Sequence, residues 1–356
     1  MKILLVGDGH SRIHEVTVAG AFRKLGHQVK ELFWYKYFIQ NNWLIHQLRR
    51  AQNKFLLGPQ IDRINTDLFR ESVEFKPDLI FVYRGTHVFP LTLSSIKAQL
   101  PNSVIAGYNN DDPFSPHYSR WTWRHFLKGI HKYDIVLAYR THNLEDFKKA
   151  GARRVRLLRS WFVPDCNYPI ELSEMDRLKY ECDVVFVGHY EPDQRIHFLE
   201  NIIRQGWKLR LFGPGYDWNP VIRRSRELAN QIPVRLVWGK DYNKALCGAR
   251  VALCFLSKLN RDTYTRRCFE IPATGVMLLS EYSEDLASLY QEGEEADFFT
   301  SEKEMLAKLQ LYLNDESRRK SVAEAGFQRV YKDGHDVVSR MKQVLNWVDE
   351  IRKQKI

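Results

Sequence analysis

The sequence has few cysteines and no long apolar segment. Its five cysteines are odd in number and form no C-x-x-C pair, which argues against a disulfide framework or a zinc site. We therefore expect reduced thiols in a cytoplasmic protein. No apolar run approaches the roughly 20 residues that cross a bilayer. The apolar stretch at residues 3–6 is too short for a signal-peptide core, so it predicts a first β-strand.

Acidic residues are outnumbered by basic ones. The 54 lysines and arginines against 43 aspartates and glutamates give a formal net charge of +11. Such an excess of positive charge is expected to attract an anionic partner. The three classes to consider are a membrane surface, a nucleic acid and a phosphorylated substrate. The basic residues are spread along the chain without a recognised nucleic-acid-binding module, so we expect no nucleic-acid partner. A chain of 356 residues exceeds the size of one hydrophobic core and predicts two domains.

Short apolar stretches alternate with helical patterns along the whole chain. In the first half they predict strands at residues 3–6, 29–33, 79–83, 104–107, 135–138 and 155–158. A proline-containing connector at residues 164–169 predicts a domain boundary. Further strands are then predicted at residues 183–187, 208–212, 234–238, 251–255, 276–279 and 296–299. This alternation is typical of two doubly wound, Rossmann-like α/β domains that face each other across a cleft.

The loop after the first predicted strand contains half of a dinucleotide-binding motif. Gly7-Asp8-Gly9 begins the motif, but Arg12 stands where its third glycine belongs. Glu31 is an acidic residue of the kind that binds a ribose in such domains. Because the motif is incomplete, we expect no nicotinamide or flavin cofactor. The loop still lies at the carboxyl end of a strand, where open α/β sheets bind ligands.

Aromatic residues and leucines alternate with basic residues between positions 34 and 57. The pattern is typical of a basic amphipathic helix that binds a membrane interface or a lipid-linked acceptor. The alternative is an ordinary helix whose apolar stripe is buried in the core. The sequence leaves both interpretations open.

Acidic residues and histidines follow two of the predicted strands. Asp111 and Asp112 come directly after one strand, His117 follows them, and His10 lies in the first loop. A carboxylate or imidazole there would be a base for an acceptor hydroxyl, and paired carboxylates also bind metals. Asn-Asp-Asp-Pro is equally typical of a turn in which an aspartate caps backbone amides. We keep all four residues as candidate catalytic groups and predict no metal site.

A helix and strand between residues 263 and 285 carry the most informative pattern. Thr263 and Thr265 are good helix N-cap types, and Arg266 and Glu270 lie one turn apart. A helix N-terminus beside Arg266 and Arg267 suits a diphosphate, and Glu270 is placed to accept from sugar hydroxyls. Together these features favour a nucleotide-sugar site. The alternative is that Arg266 and Glu270 form a surface ion pair of little energetic value.

The second half resembles the nucleotide-binding domain of GT-B glycosyltransferases of group 1, and most of all the branch of the spore-maturation CgeB-like proteins. The matching motifs stand in order: F-V-G-H-Y-E-P-D-Q-R at 186–195, L-F-G-P-G at 211–215, R-R-C-F-E-I-P-A-T-G at 266–275, and G-F-Q-R-V at 326–330. The resemblance covers residues 181–344. The first half is similar in architecture only.

The resemblance implies a role for each of several residues. It implies that Glu270 binds the donor ribose and that Arg195 and the backbone amides near Arg266 face the diphosphate. It places Gly188 and His189 in the loop beside the donor. The remaining donor-site residues are Gly213, Trp238 and Gly239 near the base, and Asp262 near the sugar. His335 and Arg340 are interpreted as structural.

The implied domains are residues 1–165 for the acceptor and 166–335 for the donor, with a terminal helix at 336–356 that packs back on the first domain. The predicted function is transfer of a sugar, without a metal or cofactor, from a nucleotide-sugar to a hydroxyl of a saccharide, lipid-linked or other cell-surface acceptor. We expect a cytoplasmic enzyme, peripheral on the inner membrane face. The alternatives are a degenerate GT-B scaffold or coat protein and a GT-B-fold epimerase or phosphorylase.

Overall fold

The chain folds into two compact units. The computed structural model describes residues 1–11, 13–119 and 121–355, so Arg12 lies outside the described residues. The first unit comprises Met1–Ser160 together with Val337–Ile356, and the second comprises Trp161–Asp336. The division after Ser160 lies five residues before the predicted boundary at residue 165.

The first unit contains a parallel sheet of six strands. They are β1 (Lys2–Gly7), β2 (Gln28–Phe33), β3 (Leu79–Tyr83), β4 (Val104–Asn109), β5 (Ile135–Ala138) and β6 (Val155–Leu157). Their order across the sheet is β2-β1-β3-β4-β5-β6, and each neighbouring pair is parallel. Every residue of β3, β4 and β5 is buried because helices cover both faces.

Seven helices belong to the first unit. They are α1 (Glu15–Lys24), α2 (Trp43–Phe55), α3 (Pro59–Phe75), α4 (Pro90–Gln99), α5 (Arg124–Lys128), α6 (Asn143–Lys149) and the final helix α15 (Val337–Lys353). Short 3-10 turns at Trp34–Tyr37 and Ile130–Lys132 complete the set among the described residues. The helix predicted across residues 34–57 is thus shorter than expected and begins at Trp43.

The second unit contains a parallel sheet of five strands. They are β7 (Cys182–Val187), β8 (Leu209–Phe212), β9 (Ala249–Cys254), β10 (Met277–Glu281) and β11 (Asp297–Phe299), in the order β11-β10-β9-β7-β8. The strand predicted at residues 234–238 is wrong. Only Arg235 forms a bridge there, to Phe212, so this segment lies beside β8 without continuing the sheet.

Eight helices of the second unit surround this sheet. They are α7 (Glu174–Tyr180), α8 (Arg195–Arg204), α9 (Gly215–Ile222), α10 (Lys240–Cys247), α11 (Arg267–Ala273), α12 (Glu284–Ala287), α13 (Glu302–Asn314) and α14 (Glu316–Lys332). Side chains of β7, β9 and β10 form its core with aromatic residues such as Phe186, Trp218 and Phe255. The prediction of two doubly wound parallel sheets is confirmed.

The last helix packs on the first unit, as predicted. α15 contacts α1, and its Arg352 donates to Asp78 Oδ1 at 2.8 Å, just before β3. Arg154 also donates to Gln354 at 2.8 Å. The chain therefore returns to its first unit after completing the second. Among the described residues, none of the helices is both long and apolar enough to cross a bilayer.

Candidate functional site

The strand order of the second unit locates the most favourable ligand site. β7 and β9 are neighbours in the sheet, and the chain runs from β7 to β8 on one side and from β9 to β10 on the other. In open parallel sheets ligands bind beyond the carboxyl ends of the strands at such a switch point. Gly188 directly follows β7, and the segment that leads from β9 into α11 lies on the other side of the switch point.

Two glycines allow the loops after β7 and β8 to approach closely. A Cβ on Gly213 would lie 2.1 Å from the Gly188 carbonyl oxygen, closer than any real contact. That carbonyl also accepts a hydrogen bond from Trp218 Nε1 at 2.8 Å. Gly213 is therefore required by the backbone packing of this edge, whereas a Cβ on Gly188 would meet the Phe186 side chain at 2.9 Å.

Arg267 is the charged group that lies against the Gly188 loop. Its guanidinium NH2 is 3.3 Å from the position that a Cβ on Gly188 would take. Its Nε is buried and has no hydrogen-bond partner among the described residues. Burial opposes the charge, but neighbouring acidic groups that include Tyr242 and Glu270 outweigh it and raise the pKa of Arg267. A persistent cation with unused hydrogen-bonding capacity is suited to an anion.

Glu270 is buried one turn further along α11. Its Oε2 accepts a hydrogen bond from the Tyr242 hydroxyl at 2.7 Å, and Arg266 Nε lies 4.0 Å from Oε1. Burial raises the pKa of Glu270, and Arg266 and Tyr242 oppose the increase. Since Arg266 and Glu270 are both largely buried, the interpretation as a surface ion pair is wrong. A carboxylate oxygen has two lone pairs, so Oε1 can accept from a ligand hydroxyl.

Several contacts fix α11. The Phe269 ring stacks on His335 with centroids 4.5 Å apart, and the Tyr290 hydroxyl donates to the Cys268 carbonyl at 2.6 Å. These contacts agree with a structural role for His335. The helix has only seven residues, so its dipole is a weaker source of positive potential than the two arginines.

Arg195 and His189 shape the loop after β7. Arg195 donates to both carboxylate oxygens of Asp193, at 2.7 and 2.6 Å, and to the His189 carbonyl at 2.7 Å. His189 Nδ1 lies 2.8 Å from Asp217 Oδ2 at the start of α9. Arg195 is buried and its donors are used within the loop, so its contact with the diphosphate stays a prediction.

The remaining donor-site candidates lie near α10 and before α11. The Trp238 side chain is 61% exposed, and Gly239 begins α10 with a φ of 54°. The same helix carries Tyr242, the partner of Glu270. Asp262 is half-buried, and its backbone amide donates to the Ser257 carbonyl at 2.8 Å. No described contact tests its role near the sugar.

In the first unit, Asp112 is fully buried. Its Oδ1 accepts from the Phe114 amide and from Asn143 Nδ2, both at 3.0 Å, and its Oδ2 lies 3.4 Å from His142 Nε2. Asp112, His142 and Asp146 each place one ligand atom within 4.8 Å of the others. Asn143 donates to both carboxylates, so this cluster is already joined by hydrogen bonds. Asp112 is placed to support His142 and is shielded from an acceptor.

The other base candidates differ in exposure. Asp111 Oδ2 accepts from Arg84 NH2 at 2.8 Å. His10 is exposed and its Nδ1 is paired with Asp8. Within the described part of the chain, the exposed His117 is held through its backbone amide, which donates to Ser115 Oγ at 3.3 Å. Of the four candidates, His10 is therefore the one that combines an exposed imidazole with a carboxylate partner.

Four residues near the carboxyl ends of the two sheets were not predicted from the sequence: Glu15, Arg84, His142 and Tyr242. Glu15 is buried and accepts from the Asp8 amide at 3.1 Å, and burial raises its pKa. Its position at the start of α1, one loop after β1, was a signal for a site residue. The pairings of Arg84 and Tyr242 depend on tertiary contacts with residues 27 or more positions away and left no local signal.

A cavity of about 550 Å³ lies at the opposite edge of the second sheet. It is lined near the amino ends of the strands by Cys182, Ala249 and Met277, and by Arg319. Parallel sheets bind their ligands at the carboxyl edge, so the cavity is not our candidate site.

Comparison with known proteins agrees with this arrangement. Residues 194–346 match the family described as glycosyl transferase-like. No curated protein matches the sequence. The fold is similar to the solved structure of Anabaena HepE in complex with UDP, with 13% identity, a TM-score of 0.67, and coverage of 98% of this chain and 100% of HepE.

Two synthases have similar folds at 12% identity. Sucrose-phosphate synthase from Thermosynechococcus elongatus has a TM-score of 0.68 and matches over 98% of this chain and 99% of its own. The α,α-trehalose 6-phosphate synthase from Burkholderia multivorans has a TM-score of 0.66 over 100% of both chains. At this identity the solved structures show the fold, which is the GT-B fold with its two Rossmann-like sheets. The family match covers residues 194–346, and it shows that this part of the chain is similar to glycosyl transferases.

Proposed function

We propose that the second unit binds a UDP-sugar and that the enzyme transfers its sugar to a hydroxyl of a cell-surface saccharide or lipid-linked acceptor. The observation that carries the proposal is the position of the half-buried Arg267, whose guanidinium NH2 lies beside the Gly188 loop. A diphosphate bound at that loop would accept hydrogen bonds from this guanidinium. The narrower resemblance to the CgeB-like branch remains a prediction.

The chemistry requires that negative charge growing on the leaving UDP be stabilised. Arg267, with Arg266 next to it, is a fixed cation in a largely buried environment. Preorganised positive groups of this kind stabilise a transition state more than water does, since they need no reorganisation as charge develops. Arg195 would act indirectly, by holding the loop through Asp193.

Glu270 would bind the donor ribose. Its Oε1 retains acceptor capacity while Tyr242 occupies Oε2 and fixes the carboxylate orientation. Trp238 offers an exposed aromatic face of the kind on which a base stacks. UDP is our choice of nucleotide because HepE, which has the same fold, was solved with UDP and with UDP-glucose.

On the acceptor side, we assign the role of base to His10. It is exposed, and its contact with Asp8 would orient the imidazole. Asp112 would act through His142. Asp111, which is paired with Arg84, and His117 remain the weaker choices.

The proposal is tested by thermal unfolding with UDP, GDP, dTDP, CMP and NAD, each with and without magnesium. A ligand that binds only the folded protein raises its Tm in proportion to the logarithm of its concentration over Kd. We expect UDP to give the largest increase. Stabilisation by CMP alone would contradict the diphosphate site. No response to any nucleotide would contradict the enzyme assignment and favour a degenerate scaffold.

A further inference from the structure

Helix α2 turns its polar side towards the protein. Asn53 Oδ1 lies 2.7 Å from His87 Nε2, and Gln52 Oε1 accepts from the Gln60 amide at 2.8 Å. Arg49 donates to the Ile39 carbonyl at 2.9 Å. The residues that would normally face water are therefore the ones that attach this helix to its own unit.

The apolar side of α2 faces outward. Leu44, Leu48 and Phe55 lie on one face by helical spacing and are 65, 64 and 52% exposed, and no residue of the helix is buried. Trp43, in the first turn, is 69% exposed. The interpretation of an apolar stripe buried in the core is therefore wrong. We refer to Trp43, Leu44, Leu48 and Phe55 as the α2 apolar face.

The segment that carries this face has charged residues of one sign only. Residues 32–61 contain no aspartate or glutamate, but they contain four basic residues: Lys36, Arg49, Arg50 and Lys54. Arg50 and Lys54 are exposed on α2 beside its apolar face. Apolar and aromatic side chains beside exposed cations complement a lipid interface with anionic headgroups.

The helix is held firmly in this orientation. Arg124 donates to the Phe55 and Leu56 carbonyls at 2.7 and 2.6 Å, and Trp121 Nε1 donates to the Phe55 carbonyl at 2.8 Å. The Arg124 guanidinium stacks on the Trp121 ring at 3.6 Å. Exposure of the apolar face is thus a property of a well-anchored helix.

We propose that the α2 apolar face inserts into the interface of an anionic lipid bilayer, with Arg50 and Lys54 next to the headgroups. The inference deepens the proposed function, since it names the surface on which a lipid-linked acceptor would be met. His87, the partner of Asn53, lies four residues beyond β3. Since β3 neighbours β1 at the switch point of the first sheet, α2 is attached to a loop at the edge that we assign to the acceptor.

The test is co-sedimentation of the full chain with phosphatidylcholine vesicles and with vesicles of equal parts phosphatidylcholine and phosphatidylglycerol. We expect binding to the anionic vesicles only, weakened by salt. Each basic residue near such a surface contributes about 1 kcal/mol, or about fivefold in affinity. The variant Arg50→Glu/Lys54→Glu should therefore bind at least tenfold more weakly, and Leu48→Glu/Phe55→Glu similarly.

Two matched controls separate this surface from general effects. Met175→Glu/Leu178→Glu adds the same charges at apolar positions of the second unit that are at least as exposed, and Arg153→Glu/Lys303→Glu reverses two exposed cations elsewhere. Both controls should bind vesicles nearly as wild type. All variants should keep the increase in Tm with UDP, so loss of lipid binding is distinguishable from failure of the donor proposal.

Two results for the wild type would overturn the inference, and a third would come from the controls. One is no sedimentation of the wild type with anionic vesicles. The other is a wild-type dimer that Leu48→Glu/Phe55→Glu converts to a monomer, because the α2 apolar face would then be covered by a second copy of the chain. Equal loss of vesicle binding in the control variants would also contradict the assignment to α2.

Discussion

The two units share a topology but differ in how their charges are paired. In both, the first strand lies between the second and the third, and ligand-binding loops leave the same edge of the sheet. In the first unit Arg84 contacts Asp111 at 2.8 Å. In the second, Arg267 lies at the equivalent edge and forms no ion pair with a described residue, although the Nε atoms of both arginines are buried without a described partner. Under our proposal the fold supplies the place for a ligand in both units, and the charge balance favours an anion in the second.

The largest effect that we expect is on nucleotide affinity. Arg267→Met removes charge-assisted hydrogen bonds, each of which contributes about 1.5–3 kcal/mol. The Kd for UDP should rise about tenfold to a hundredfold by isothermal titration. Arg84→Met is the matched variant in the first unit and should leave the Kd unchanged. Similar losses in both variants would contradict the distinction between the units.

A second expected difference concerns backbone packing. Gly213→Ala places a Cβ against the Gly188 carbonyl, so the loops after β7 and β8 must separate. Overpacking of this kind costs about 1–3 kcal/mol. Gly20→Ala, in α1, meets no atom within 4 Å and should stabilise the protein by about 0.4–1 kcal/mol. Urea unfolding measures both, and a stable Gly213→Ala variant that binds UDP normally would show that the loop contact is dispensable.

Most strand positions could be predicted from the sequence, because apolar runs such as those of β3 and β10 are bounded by turn residues. The parallel arrangement of the strands could also be predicted, because they alternate with helices. The sequence did not predict features that depend on tertiary contacts. Residues 234–238 have a strand's composition but form only one bridge. The spacing of Arg266 and Glu270 indicated a site, yet Tyr242, 28 positions away, provides the shorter contact with Glu270. Likewise, no local pattern shows that Asp112 is enclosed or that α2 faces outward.

A third comparison uses the two buried glutamates, Glu270 and Glu15. Burial raises the pKa of both above 4.5, so folding favours their protonated forms. The stability that this gives is complete below pH 4.5 and is lost as the pH rises through the raised pKa. Glu270→Gln and Glu15→Gln should therefore each raise Tm at neutral pH relative to wild type, and less so near pH 4.5.

Only Glu270→Gln should also weaken UDP binding, by about tenfold, because an amide oxygen accepts more weakly from the ribose than a carboxylate. In the wild type, affinity should fall as the pH is lowered towards the raised pKa of Glu270, and this dependence should be absent from Glu270→Gln. Titration calorimetry at several pH values measures it. An equal affinity loss in Glu15→Gln would show that the effect is not specific to the donor site.

The smallest expected effect comes from comparing two tyrosine–carboxylate hydrogen bonds, one in each unit. Both should stabilise the fold, but only the one in the second unit should affect nucleotide binding. The Tyr242 hydroxyl donates to Glu270 at 2.7 Å, and in the first unit the Tyr37 hydroxyl donates to Asp67 at 2.8 Å. Either Tyr→Phe change removes one hydrogen bond and should cost about 0.5–1.5 kcal/mol of stability. Tyr242→Phe should in addition raise the pKa of Glu270 further and weaken UDP binding several-fold, since the carboxylate loses its orienting donor. Tyr37→Phe should leave UDP binding unchanged, and if Tyr242→Phe does the same, Glu270 is oriented by the packing of α11 alone.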